Sequence, residues 1–358
     1  MKYEYWLAQM EGISEKKKRA LRKELGSAKA VYNIEEKNIC EFPFINENER
    51  KKILSAKKIP FEKEYEKMIK KGIEFVPWFL EKYPKRLRDI DSPPYAIYVK
   101  GNLPKETDVA VAIVGARQCT PYGEHMALLY GEALARAGAV VVSGMARGID
   151  SAGQRGALNG GGRTYGVLGC GVDVCYPKEN RGLYMDMQKE GGVISEQLPG
   201  NKPLPYYFPA RNRIISALSD YVLVMEAKEK SGSLITADQA LEQGKDVYAL
   251  PGPVTSPFSQ GCHRLIAQGA GILLSPEELL DEINLCRMKA GQIYNKNQKE
   301  LESEDDLVYS CLGFTPKGLE QISLETGLPA REVLQKLFLL QMQGTVKEIS
   351  KNYYIRIC

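Results

Sequence analysis

The residues able to do chemistry in this chain are cations, hydroxyls and glycines that recur at one kind of place, just after a short apolar run. Gly115-Ala116-Arg117 follows one run, and Thr120-Pro121 comes soon after. Arg147 follows the next run. Lys178, Asn180 and Arg181 follow the third, Lys202, Arg211 and Arg213 the fourth, and Ser231-Gly232-Ser233 the fifth. Thr is a good helix N-cap and Pro is favoured at the first helical position. A helix is therefore expected to begin near Pro121 and to offer N–H groups to an anion. Arg117 beside it can grip a phosphate bidentately. The dinucleotide fingerprint Gly-x-Gly-x-x-Gly breaks here, because Arg117 stands at its second glycine. One anion needs one such loop, whereas a row of them suits a polyanion whose phosphates repeat along a strand. Tyr176, Tyr206, Tyr207 and Phe208 lie among these cations and can stack on bases. Plainer readings stand beside these. The glycines serve as packing turns, Arg211 and Arg213 as loop-holding ion pairs, and the aromatics as core.

Candidates for acid–base or nucleophilic chemistry are few. His125 falls inside the first helix of this region and His263 lies in "SQGCHRLIAQGA"; both read as structural. Asp150 reads as a helix cap. Glu196 and Glu226 end strands near the basic loops, where they can act as general acid or base. No HExxH, GxSxG or P-loop pattern is present. The eight cysteines form no CxxC pair, so neither a zinc site nor a disulfide framework is indicated, and reduced cytosolic thiols are expected. No metal or other cofactor is expected.

The elements that position these residues are legible in the apolar pattern. "DVAVAIVG", "AVVVSG", "RTYGVLGCG", "GGVISE", "DYVLVMEA", "DVYALPG" and "GILL" are short and β-branched, and they alternate with helical stretches between residues 108 and 274. Continuous rather than alternating apolar runs indicate strands buried on both faces. The alternation predicts right-handed crossovers and an α/β, doubly wound, mostly parallel sheet, with ligands at the carboxyl ends of its strands. Residues 1–60 predict a small helical module, with Ser14 as an N-cap and turns at Gly12 and Gly26-Ser27. This is either a helix-hairpin-helix or sterile-alpha-motif-like unit, or a cap with a solvated basic face. Residues 61–107 read as a connector that enters a strand after Pro93-Pro94. The Rossmann-type domain is assigned to 108–286, a polar linker to 287–302, and a winged-helix-like domain of three helices and a terminal hairpin to 303–358.

The 358 residues allow two or three domains, and the composition is that of an ordinary globular protein. No apolar run is long enough to span a bilayer, and the amphipathic N-terminus does not read as a secretory signal. A net charge of +4 does not by itself indicate nucleic acid, so the clustering of the cations is the informative signal.

Seven stretches, in order, carry a family resemblance: "YPKRLRDIDSPPYAIYVKG", "AIVGARQCTPYG", "VVSGMARGIDSAGQRGAL", "GVLGCGVDVCYPKEN", "FPARNRIISALSD", "AKEKSGSLITADQALEQGKDVYALPG" and "GCHRLIAQGA". Over about residues 83–275 they resemble the bacterial DNA-processing protein A (DprA/Smf) family. One departure is Gln154, where the family usually carries His. The resemblance implies an extended Rossmann domain in the cytoplasm that binds single-stranded DNA, dimerises and turns over no substrate. It implies protection of incoming single strands in natural transformation and loading of the RecA recombinase onto them. It also implies phosphate-binding roles for Arg117 and Lys178. The loop pattern adds Arg147, Asn180, Arg181, Lys202, Arg211, Arg213, Ser231 and Ser233, while the resemblance implies that "GCHRLIAQGAGILL" is the self-association segment. Two other readings are weighed. One is a nucleoside-monophosphate phosphoribohydrolase of the lysine-decarboxylase-like group, whose P-G-G-x-G-T-x-x-E loop is replaced here by "SGSLITADQ". The other is a sequence-specific regulator acting through "PAREVLQKLFLLQMQG", which carries only Arg331 and Lys336 as cations.

Overall fold

Local capping chemistry starts the chain as six short helices: α1 (Lys2–Ala8), α2 (Glu15–Leu25), α3 (Ala28–Asn33), α4 (Glu36–Ile39), α5 (Glu47–Ala56) and α6 (Glu62–Lys70). Ser14 and Ser27 accept backbone N–H groups at the starts of α2 and α3, and Asn46 with Glu49 forms a full capping box on α5. Gly26 closes α2 in the left-handed conformation. The computed structural model describes residues 1–285, 304–313 and 316–356. The linker expected at 287–302 lies outside the described residues.

The chain then builds β1 (Glu74–Pro77), α7 (Lys85–Arg88), β2 (Ala96–Gly101), β3 (Ala110–Val114), α8 (Pro121–Arg136), β4 (Val140–Ser143), α9 (Ile149–Asn159), β5 (Thr164–Val167), α10 (Arg181–Met187), β6 (Gly191–Ser195), α11 (Tyr207–Leu218), β7 (Tyr221–Val224), α12 (Gly232–Glu242), β8 (Asp246–Ala249), α13 (Gln260–Ala267), β9 (Gly271–Ile272) and α14 (Pro276–Glu282). One nine-stranded sheet results, in the order β1-β2-β6-β5-β4-β3-β7-β8-β9. The seven strands from β6 to β9 pair in parallel, as the continuous apolar runs predict. One face packs on α8, α9 and α14, through Ala127, Leu134, Ile149 and Leu279. The other packs on α11, α12 and α13, through Ile214, Ile215, Ala237 and Leu265.

One sequence assignment is corrected. Residues 61–107 are not a connector. They supply α6, α7 and the strands β1 and β2, which extend the sheet antiparallel from β6. Short aromatic runs interrupted by prolines read as loop, yet Pro77 is tolerated because β1 is an edge strand. The helices of residues 1–60 do not stand apart from the sheet. Tyr5, Trp6 and Leu7 of α1 share one apolar cluster with Phe75, Tyr98, Leu168, Met187 and Val193 of the sheet region. Tyr5 meets Phe75 and Tyr98 edge-on, and Arg22 of α2 lies 3.6 Å over the Phe79 ring.

The C-terminal segment forms α15 (Glu304–Cys311), β10 (Lys317–Gly318), α16 (Leu319–Thr326), α17 (Ala330–Met342), β11 (Val346–Ser350) and β12 (Tyr353–Arg356), with sheet order β10-β12-β11. Its own core is built from Val308, Ile322, Val333, Leu337 and Tyr354. No helix among the described residues is long and apolar enough to cross a membrane.

The shared core makes a testable statement. Trp6 is fully buried and its indole N–H donates to the Ala56 carbonyl. Trp6→Ala is expected to lower stability by about 3–5 kcal/mol. Denaturation followed at the sheet should shift along with that of the N-terminal helices. Loss of the helices alone, with the sheet transition unmoved, would show two independent units.

Candidate nucleic-acid interface

The strand order places a topological switch between β3 and β7. The chain steps outward from β3 through β4 and β5 to β6, then returns to β7 on the other side of β3. Doubly wound sheets bind ligands in the crevice outside such a point. The loop after β3, residues 115–120, borders it and is held from both sides. Toward β4, the Ile149 N–H donates to the Ala116 carbonyl at 3.3 Å. Gly148 allows this approach, with φ of 71° and no room for a Cβ against the Ala116 carbonyl oxygen. Toward β7, Glu226 accepts from the Thr120 N–H at 2.8 Å and from its hydroxyl at 2.5 Å.

This second hold corrects the expectation of an open anion seat at α8. Thr120 does cap the helix, its Oγ1 accepting the Gly123 N–H, and Pro121 does open it. But the Thr120 and Gly123 donors are engaged, Pro121 has none, and a carboxylate of the protein already occupies the positive end of the helix. Glu226 is only 4% exposed, and burial raises its pKa against the lowering by the two Thr120 bonds. Glu196 is also engaged, in a two-pronged pair with Arg213 at 2.5 and 3.2 Å. The two strand-end carboxylates considered for acid–base work are thus structural holds.

Arg211 and Asp150 form the floor beside this loop. Arg211 and Arg213 lie within α11, which tolerates Pro209 in its first turn, where the missing N–H is harmless. Arg211 is 5% exposed; its Nη1 donates to the Gly144 carbonyl at 3.0 Å and to the Val167 carbonyl. Burial brings its pKa down to about 10, against the opposing pull of Asp150. The Asp150 carboxylate accepts the Gly144 N–H at 3.1 Å and the Ala146 N–H at 3.4 Å. A Cβ on Gly144 would stand 2.5 Å from Arg211 Nη2 and 2.7 Å from Asp150 Oδ2, so glycine lets both side chains close on the backbone. Asp150 also carries a pKa raised by burial, which Arg211 opposes.

Above this floor opens a cleft of about 480 Å³. Its rim is formed by Arg117, Tyr176, Phe208, Asn212, Ser231 and Ser233. Arg117 is exposed, with its guanidinium carbon 5.2 Å from the Phe208 ring centre. Phe208 packs in turn against Tyr176, with centroids 5.6 Å apart. Ser231 caps α12 and its hydroxyl lies 2.8 Å from that of Ser233. A Cβ on Gly232 would meet nothing within 4 Å, so the start of α12 is open. Tyr206 and Tyr207 pair at 4.5 Å, and Tyr206 is 64% exposed. A shallower hollow on the C-terminal unit is lined by Glu320, Ser323, Leu324 and Leu328 and has no cation in its lining.

The remaining expected residues divide. Lys178, Arg181 and Lys202 are exposed and in no ion pair among the described residues. Arg147 is exposed but pairs with Glu179. Asn180 donates to the Met145 and Ala146 carbonyls at 3.0 and 3.3 Å, tying the loop after β5 to the loop after β4. Sequence reading left Asn212 and Thr236 out of the cleft. Their spacing from Phe208 and Ser233 within helices was the available signal. His263 bonds to the Gly252 carbonyl at 2.9 Å, and no cluster of His, Cys, Asp and Glu suited to a metal ion occurs among the described residues.

Residues 74–284 match the family model described as DNA recombination-mediator protein A, and 295–349 match that of the DprA winged helix domain. Protein Smf of Escherichia coli is 36% identical over 284 residues, covering 78% of this chain and 76% of that protein. The solved DNA processing protein A of Streptococcus pneumoniae aligns with a TM-score of 0.70 and 33% identity, over 79% of this chain and 98% of that one. The Helicobacter pylori protein, whose structure is described by its single-stranded DNA binding mode, aligns with a TM-score of 0.54 and 30% identity, over 59% of this chain and 95% of that one. The chain belongs to the DNA recombination-mediator protein A family.

The burial contrast between the two arginines gives an expected outcome. Arg211→Ala leaves two carbonyls and Asp150 without their cation, and should cost about 3 kcal/mol in denaturant unfolding. Arg117→Ala should change stability by no more than about 0.5 kcal/mol. Equal effects would mean the two side chains do not differ as the geometry describes.

Proposed function

We propose that this member of the recombination-mediator family binds single-stranded DNA along the carboxyl-end rim of its sheet and hands the strand to a RecA-type recombinase. The observation that carries this reading is the exposed Arg117 guanidinium, set over the Phe208 ring that packs against Tyr176 at the mouth of the cleft, above buried charges that are already engaged. Arg117 and Lys178 grip phosphates, Arg181 and Lys202 extend the positive rim, and the start of α12 adds the hydroxyls of Ser231 and Ser233. Exposed Tyr176 and Tyr206 stack on bases without reading their identity. Arg211, Arg213 and Asn180 serve by holding the rim in shape, and Arg147 joins the strand only by leaving Glu179. The described binding mode of the Helicobacter pylori relative supports the ligand class.

The protein acts in the cytoplasm, without a cofactor and without turnover. Glu196 and Glu226 are tied to Arg213 and Thr120, which leaves the nucleotide-hydrolase reading without a poised acid or base. Self-association is proposed to use α13 and β9; the exposure of Ile272 and Leu274 at the sheet edge supports this. On α17 the outward face carries Leu334, Phe338 and Met342, a poor surface for reading a DNA groove.

Fluorescence anisotropy with a labelled oligonucleotide tests the reading. Arg117→Ala and Lys178→Ala should each weaken single-strand binding by about tenfold or more. Each should also lower the slope of log K against log salt by about 0.7. Affinity should vary little among oligonucleotides of different base sequence. Unchanged affinity in both variants would refute the rim site, and release of free base from a nucleotide would revive the hydrolase.

A further inference from the structure

We propose that Glu226 is the positioning residue of the strand site: it fills the anion seat of α8 with a carboxylate of the protein and thereby fixes the loop that presents Arg117. The inference rests on the single-strand reading above and adds the device that orients its principal cation.

Glu226 stands just past the end of β7, on a firmly held stretch of backbone. The Met225 N–H donates to the Val114 carbonyl at 3.1 Å, and the Ala227 N–H to the Phe258 carbonyl at 2.8 Å. From there the carboxylate spans the switch point to Thr120 and takes both of its donors. The same side chain lies against Gly123, where a Cβ would overlap its carboxyl carbon. Loop 115–120 is thus pinned at Ala116 by Ile149 and at Thr120 by Glu226, and Arg117 lies between the pins. A buried anion beneath a polyanion site is unfavourable taken alone. Here the two Thr120 bonds and the helix dipole offset part of that cost, so it can be kept close to a phosphate site. With the seat filled from within, the ligand phosphate meets Arg117 and not the start of α8. The helix start at which a doubly wound fold cradles a pyrophosphate is occupied by the protein's own side chain.

The test is a double-mutant cycle in the full-length protein, read by anisotropy with a single-stranded oligonucleotide at several salt concentrations. The variants are Arg117→Ala, Glu226→Ala and the pair. Glu226→Ala should weaken binding by about tenfold and lower the salt slope by about one contact, as Arg117→Ala does. In the Arg117→Ala background it should add less than about twofold, because the cation it positions is gone. A general loss of structure would weaken both backgrounds alike. If Glu226→Ala folds poorly, Thr120→Val removes the hydroxyl bond instead, and Thr120→Ser should restore what Thr120→Val loses. If Arg117→Ala weakens binding while Glu226→Ala does nothing, or if their effects simply multiply, the positioning role is overturned and the strand site stands. If Arg117→Ala itself has no effect, the strand site fails and the positioning role fails with it.

Discussion

Arg211 enters the sheet rim from the second turn of α11 and donates to the carbonyls of Gly144 and Val167, at the carboxyl ends of β4 and β5. Those carbonyls end their strands beneath a helix and out of contact with water, so they need a donor from elsewhere in the chain. A buried guanidinium supplies it in a planar, multi-pronged form that lysine lacks. Asp150 offsets part of the charge and itself caps the N–H groups of Gly144 and Ala146. Through this arrangement the ends of two strands, the start of α9 and the body of α11 become one rigid floor. The loops after β3, β5 and β7 are arranged around it.

That floor explains a division of labour among the charges. Buried and half-buried ionic groups are engaged with backbone or with each other: Arg211 with carbonyls, Asp150 with amides, Glu226 with Thr120, Glu196 with Arg213. The exposed cations Arg117, Lys178, Arg181 and Lys202 stand above them. Removing a partner from the first group leaves a buried charge or dipole unmatched, which is a stability effect. Removing a member of the second changes the surface potential and little else. In the proposed reading the ligand of this surface is a polyanion with regularly spaced phosphates, whose bases stack on the exposed rings of Tyr176 and Tyr206.

The central parallel sheet was legible in the sequence because buried strands leave continuous β-branched runs that few other elements produce. The starts of α2, α8 and α12 were legible from Ser14, Thr120-Pro121 and Ser231, because capping depends on residues only two or three positions apart. The edge strands β1 and β2 were not, since short aromatic runs broken by prolines signal loops as readily as strands. The fates of Arg211 and Arg213 were hidden too. Composition marks an arginine as a cation, but only packing decides whether it faces a ligand or the carbonyls of Gly144 and Val167. Likewise the sequence indicated an anion seat at α8, while its occupant, Glu226, lies 106 residues from Thr120 and is brought there by the order of the strands.

Photo-crosslinking with a single-stranded oligonucleotide carrying a photoreactive base, followed by peptide mapping, locates the bound strand on the protein. A strand lying on the rim should crosslink at Tyr176, Tyr206 and Phe208, and the yield should fall as salt is raised. Crosslinks confined to α17 or to the helices of residues 1–60, with the rim peptides unmodified, would contradict it.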